Sequence, residues 1–285
     1  MAQDWDDLGA VAPAALGEAR LQAHHAVQWA TRAACANLAP MPGDSQTNLG
    51  WDRTNAALVS HELRAASGEP LSIGLRIEAM TLIALHGGAI ADQFPLDGKR
   101  DAGAGAWLDR LAASAGLALP GGASLPYAIP AHPVGDGAAY SCAPHQAEFA
   151  ALARWFAIAD ETLGAIHDRL PTGEASQPRC WPHHFDLATL WTLGDGDAET
   201  AASIGIGMCP GDSYYAQPYF YVSPWPRPAE DKPPSLPLPG HWHTQDFIGA
   251  ILTGEDIVEL TDRRANTRQF LDAAIAAARG LVAAR

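Results

Sequence analysis

Phe149, Leu152, Phe156, Ala159, Leu163, Ile166 and Leu170 keep a spacing of three and four residues without a break, and Pro171 stops the run. That spacing draws one apolar stripe along a single long helix, and such a stripe has to be covered by another layer of structure. A second helix reads from Leu21 to Leu38, where Leu21, His25, Trp29 and Ala33 recur every four residues ahead of Pro40, Pro42 and Gly43. After each helix the apolar residues switch to alternation. Leu71, Ile73, Leu75 and Ile77 spell a half-buried strand, Met80–Leu85 is a second strand candidate and Gln93–Leu96 a short third. Trp107, Leu108, Leu111, Ala112 and Ala115 then mark a short helix closed by Gly116. Further strands are expected at Trp181–Leu193, Ala202–Cys209, Pro218–Ser223 and near Phe247–Leu252, with a last helix over Arg263–Ala284.

The order long helix, strands, short helix occurs twice. Trp29 matches Trp155, Ser72-Ile73-Gly74-Leu75 matches Ser203-Ile204-Gly205-Ile206, and Leu108-Asp109 matches Leu271-Asp272. The expectation is an α+β fold of two similar α-β-α halves, with antiparallel sheets and helices packed on one face. Residues 1–120 form the first half and 146–285 the second. Residues 121–145 read as a linker, since Pro120 to Pro144 holds five prolines and four glycines. Seven prolines between Pro224 and Pro239 mark an insertion over 224–240, too poor in backbone donors to join a sheet and therefore an extended surface loop.

The net charge of -14 repels phosphate backbones and anionic membranes, which excludes nucleic acid as the main partner. No apolar run approaches the roughly 18 residues of a membrane span. The acidic start, Met1-Ala2-Gln3-Asp4-Trp5-Asp6-Asp7, lacks the basic and apolar parts of a secretory signal. Cys35, Cys142, Cys180 and Cys209 stand far apart, without Cys-x-x-Cys. A reduced, cytoplasmic, bacterial-type protein is expected.

Familiar catalytic signatures fail. His61-Glu62-Leu63-Arg64-Ala65 lacks the second histidine of a zinc protease helix, there is no P-loop, and Gly103-Ala104-Gly105 lacks a third glycine. The Gly-Asp-Ser triplets at Gly43 and Gly211 follow prolines rather than an apolar strand, and Gly-x-Ser-x-Gly is missing. No cofactor is named by any motif.

What remains is concentrated between Trp181 and Asp246. In Trp181-Pro182-His183-His184-Phe185-Asp186, a strand would point His184 and Asp186 the same way, as a base with its orienting carboxylate or as two metal ligands. The alternative is a structural hydrogen bond. Cys209-Pro210-Gly211-Asp212 reads as a type II turn, followed by Tyr214, Tyr215, Tyr219 and Tyr221, then Pro224-Trp225-Pro226. His241-Trp242-His243 is a second pair two apart. A metal, if bound, would draw on His184, Asp186, His241 and His243. Nothing beside Cys209 argues for a lowered thiol pKa. His25, on the apolar stripe beside Trp29, is either a satisfied core histidine or a site member. His24 and His183 read as peripheral.

Trp-Pro-His-His-Phe-Asp at 181–186, Pro-Gly-Asp at 210–212, Gln-Pro-Tyr-Phe-Tyr-Val-Ser-Pro-Trp at 217–225, and Trp242 ahead of Phe247-Ile248-Gly249-Ala250 resemble a family of uncharacterised bacterial proteins. Its members read Trp-Pro-x-His-Phe-Asp, Ser-Pro-Gly-Asp and Glu-Pro-Tyr-x-Tyr-Val-x-Pro-Trp. The likeness extends more weakly to the helix with His25, to Asp44-Ser45 and to Gly50-Trp51-Asp52. It implies that His184, Asp186 and Asp212 belong to the motif. It also implies that His183, often glutamate in relatives, and Cys209, there serine, are not obligatory. It carries no activity, substrate or cofactor.

Three functions are then open. The leading one is binding of a small molecule in an aromatic-lined cleft between the halves. Tyr219, Tyr221, Trp225 and Trp242 would be its walls, and His184, Asp186, Asp212 and His25 its polar contacts. The second is a hydrolase using His184 and Asp186. The third is a protein-interaction module using the proline-rich segment. The oligomeric state is open.

Overall fold

A computed structural model describes residues 5–64, 68–171, 174–194, 201–228 and 233–283. Ala284, the expected end of the last helix, and residues 229–232 of the proline-rich segment lie outside them. The fold is α+β, with two antiparallel six-stranded sheets. The chain forms two compact units that are not contiguous in sequence. The first is Leu16–Ala153 with Cys180–Phe185, and the second is Met1–Ala15, Arg154–Arg179 and Asp186–Arg285.

The first unit begins with α1 (Gly17–Asn37), followed by β1 (Gly50–Asp52), β2 (Ala57–Val59), β3 (Leu63–Arg64), β4 (Pro70–Arg76), β5 (Thr81–His86), β6 (Ala89–Pro95) and α2 (Asp101–Ala115). The strands lie in the order β1-β2-β4-β5-β6, with β3 also pairing β4. The alternation of Leu71, Ile73 and Leu75 does mark a central strand, and α1 packs against β4. Ala57, Ile83 and Leu85 form a buried cluster with Val59 on the face that carries Gly74. The strands β1, β2 and β3 were not expected. They are two or three residues long, too short for a period to show. Gly116 ends α2 in the left-handed conformation, φ 69°, as a glycine C-cap does.

Helix α3 (Gln146–His167) carries the expected stripe from Phe149 to Ile166 and ends before Leu170, which lies beyond the helix; its first eight residues are counted with the first unit. The second sheet uses β7 (Arg179–Trp181), β8 (Asp186–Leu193), β9 (Ala202–Cys209), β10 (Tyr219–Trp225), β11 (His241–His243) and β12 (Gly249–Thr253). A short α4 (Gly254–Glu259) and α5 (Arg263–Ala283) follow. The strand order is β11-β12-β10-β9-β8-β7. Both units thus use helix, antiparallel sheet and helix, while their strand orders differ.

Two expectations are corrected. Trp181–Leu193 is not one strand, because residues 182–185 form a turn and Phe185 adopts φ 61°. The proline-rich segment does enter the sheet: Pro224 and Trp225 complete β10, opposite Ile204 and Ser203 of β9. Pairing of β10 with β12 stops at Val222, so a missing donor falls where β10 has β9 beside it and no pairing to β12, an edge-like position.

Alternation divides this sheet into two faces. Ile204, Ile206, Met208, Phe220, Val222, Ala250 and Leu252 share one face and are buried, and α5 packs on β9, β10 and β12. The other face carries Gly205, Gly207 and Cys209 of β9, Tyr219, Tyr221 and Ser223 of β10, and His241 and His243 of β11. Tyr221 lies across Gly207: a Cβ there would stand 2.6 Å from both Cζ and the hydroxyl of Tyr221. Gly207→Ala is therefore expected to destabilise the protein by about 1–3 kcal/mol through overpacking. Gly205→Ala, whose nearest contact would be 3.8 Å away, should change stability by less than about 0.5 kcal/mol. Urea unfolding of the two variants, with equal losses refuting the argument, is the check.

Candidate functional site

The motif Trp181–Phe185 is anchored in the first unit. Cys180 and Leu49 exchange backbone hydrogen bonds of 2.7 and 2.9 Å. The Pro182 carbonyl accepts from Gln28 Nε2 and from His24 Nε2, each at 2.8 Å. A carbonyl can only accept, so the His24 proton sits on Nε2. The His24 ring stacks on Phe185, centroids 5.1 Å apart. Gln28 Oε1 in turn accepts from the Tyr127 hydroxyl at 2.9 Å. His24, expected to be peripheral, is thus a central support of the motif. His184 is exposed in the turn, its ring 4.2 Å from that of His183.

Asp186 is the first residue of β8, beyond the turn, so it does not share a strand face with His184. It accepts a short hydrogen bond from the Tyr221 hydroxyl through Oδ2. The expected base and orienter are therefore not formed as a pair by strand geometry. The carboxylate instead anchors a phenol. His25 is a satisfied core histidine, with Nε2 2.9 Å from the Pro130 carbonyl and Gly135 packed against its ring.

Asp212 organises the polar face of the second sheet. Its Oδ1 accepts the backbone N–H groups of Tyr214 at 2.8 Å and Tyr215 at 2.9 Å, an Asx turn that follows Gly211 at φ 118°. Its Oδ2 accepts the Tyr219 hydroxyl at 2.7 Å. Burial, then the nearby charges, drives the Tyr219 and Tyr221 hydroxyls far above the usual phenol range, so both stay protonated donors. Burial, with Asp212 and Asp186 adding to it, likewise pushes up the Cys209 thiol, the opposite of what a nucleophile needs.

The turn delivers Tyr215 to β11. Its hydroxyl lies 3.1 Å from His241 Nε2 and 3.1 Å from His243 Nδ1. Since a hydroxyl carries one proton, it can donate to one imidazole while accepting from the other. His243 stacks on Phe247, centroids 4.2 Å apart, and Tyr214 meets both edge-on at 5.1 and 5.3 Å. Tyr214 is 45% exposed and its hydroxyl reaches Asp246 Oδ2 at 3.3 Å. His243 Nε2 is buried without a hydrogen-bond partner among the described residues.

The four expected wall residues are not gathered. Tyr219 and Tyr221 are neighbours, ring centroids 6.1 Å apart. Trp225 is exposed about 13 Å further along β10. Trp242 alternates with the two histidines and so faces away from them, its indole N–H donating to the Pro234 carbonyl at 2.7 Å. The metal set His184, Asp186, His241 and His243 is not assembled: among the described residues no three His, Cys, Asp or Glu side chains group as metal ligands. The Tyr215 hydroxyl occupies the space between the two β11 histidines. Tyr214, Tyr215 and Phe247 were missed as site residues, although Pro-Gly-Asp ahead of two tyrosines is a readable Asx-turn signal.

Comparison of the chain with family models, curated proteins and solved structures finds no match. Among the described residues no helix is long and apolar enough to cross a membrane.

Two predictions follow from this geometry. Burial lowers the His24 pKa from 6.5 to about 4, only partly offset by its bond to Pro182. Between those values the unfolded chain takes up a proton that the folded chain refuses. Stability contributed by neutral His24 is thus full above pH 6.5 and is lost towards pH 4, with a slope of at most about 1.4 kcal/mol per pH unit. His24→Gln should flatten the fall in unfolding free energy across that window, and an unchanged slope would refute the assignment. Asp212→Ala should cost about 2 kcal/mol or more, because it orphans the buried Tyr219 hydroxyl. Tyr219→Phe in that background should recover part of the loss, whereas strictly additive losses in a double-mutant cycle would separate the two residues.

Proposed function

We propose that the chain binds a small uncharged ring compound bearing hydroxyl groups, at the corner of the second sheet formed by Tyr214, Tyr215, His241, His243 and Phe247. The observation that carries the reading is the Tyr215 hydroxyl held 3.1 Å from each of two imidazoles, beside the exposed ring of Tyr214. Phenol and imidazole each donate and accept, which suits a hydroxyl partner of either polarity. Tyr214 offers a ring face for stacking. The carboxylates Asp212 and Asp246 already accept from tyrosines at this corner and disfavour an anion, as does the net charge of -14.

In this reading Asp212 is a positioning residue. It fixes the backbone of Tyr214 and Tyr215 rather than touching the ligand. Asp186 and Tyr221 brace the same face. Binding is favoured over hydrolysis because the Asp186 carboxylate accepts from Tyr221 and, among the described residues, no carboxylate orients His184.

The test is calorimetric titration with glucose, myo-inositol and uridine. Binding of at least one is expected, weakened about tenfold by Tyr215→Phe, the worth of one hydrogen bond. Tyr214→Ala should weaken it further while leaving the thermal midpoint within about 3 °C. Failure of all three compounds to bind, or wild-type affinity in both variants, would overturn the proposal.

A further inference from the structure

A groove of about 380 Å³ lies within the second unit, bounded by the end of α3, by β8 and by α5. Ile166, Leu170, Trp191 and Ile275 give it apolar walls. Its size falls within the roughly 300–1,000 Å³ of small-molecule pockets, which are mostly apolar with a few polar groups. Two arginines reach it, and they differ. Arg169 grips both oxygens of Asp272, Nη2 to Oδ1 at 2.8 Å and Nη1 to Oδ2 at 3.4 Å, so those charges cancel. Arg279 sits two helical turns beyond Asp272 on the same stripe of α5, and its guanidinium lies over the Trp191 ring, 5.0 Å from the centroid. Among the described residues it makes no ion pair with a carboxylate.

Trp191 is itself fixed, buried on β8 with its indole N–H donating to Glu174 Oε2 at 3.2 Å. A guanidinium stacked on an indole keeps its in-plane N–H groups available for a planar, two-oxygen acceptor. We propose that this groove is a second ligand site, separate from the Tyr215 corner, and that it takes a small monocarboxylate with an apolar body. The carboxylate pairs with Arg279, and the body lies against Ile166, Leu170 and Ile275. The overall negative charge does not forbid this. Charges beyond the Debye length of about 8 Å are screened at physiological salt, while a contact ion pair is not.

The experiment is calorimetric titration of the full chain with 3-phenylpropionate and with the uncharged 3-phenylpropanamide, in about 0.15 M salt. The carboxylate is expected to bind at least about tenfold more tightly than the amide. Arg279→Met keeps an unbranched chain over Trp191 without the charge and should erase that preference. Ala276→Trp should block the groove and remove carboxylate binding with Arg279 still in place. Both positions are exposed on α5, and thermal unfolding of each variant verifies its fold. The proposal is overturned if the carboxylate does not bind, if the amide binds equally well, or if either folded variant keeps the wild-type affinity and preference.

Discussion

Strand β10 cannot bury both of its faces in the same way. Phe220 and Val222 point into the layer shared with α5, which forces Tyr219 and Tyr221 to the opposite side with two phenol hydroxyls to satisfy. Each finds a carboxylate: Asp212 from the turn after β9, Asp186 from the start of β8. The second contact crosses the intervening strand, and only a glycine at 207 leaves room for the ring to do so. The rest of that face is arranged around these two bonds. Asp212, once fixed by Tyr219, uses its other oxygen to hold the backbone of Tyr214 and Tyr215, and that sets Tyr215 between the two histidines of β11.

The motif at 181–186 divides along the same lines. Pro182 and Phe185 serve the first unit, through the Pro182 carbonyl and the stacking of Phe185 on His24, while Trp181 ends β7. Its last residue, Asp186, serves the second sheet. Consecutive residues of one signature thus contribute to two different sets of contacts. A demand on side-chain type can be stated at two of the six positions, a flat ring at 185 and a carboxylate at 186.

The helices were legible because their stripes are long. α1 and α3 each extend over five turns or more, and a period of about 3.6 residues is unmistakable at that length. β4 was legible from the alternation of Leu71, Ile73 and Leu75, although Ser72 and Gly74 between them are buried as well, so the strand is covered on both faces and not half-buried. The pieces that escaped are those whose shape is decided by contacts between distant segments. Ser60, just beyond β2, accepts the Ile73 amide of β4 on its hydroxyl, which no alternation announces. Phe185 adopts a left-handed backbone that aromatic residues rarely take, and it does so because its ring has His24 to rest on. Tyr219 and Tyr221 were read from the sequence, whereas the grouping of Tyr214, Tyr215 and Phe247 with the β11 histidines was not. Trp242 turned out to face away because β11 is a strand, and the groove beside Trp191 draws its lining from three separate stretches of chain.

The interleaving of the two units has a bearing on how the protein is made. Leu49 lacks its hydrogen-bonding partner, and His24 its carbonyl, until residue 182 has been synthesised. By then the ribosome has already released all of β1 to β6. Through the synthesis of α3, His24 on α1 therefore lacks its Pro182 acceptor. Residues 5–15 wait longer still, since Arg263 of α5, which holds the carbonyls of Trp5, Asp6 and Leu8, is made later again than residue 182. The first unit takes its last segment, Cys180–Phe185, only after the chain has run through Arg154–Arg179 of the second, so it is not complete as one contiguous stretch of chain.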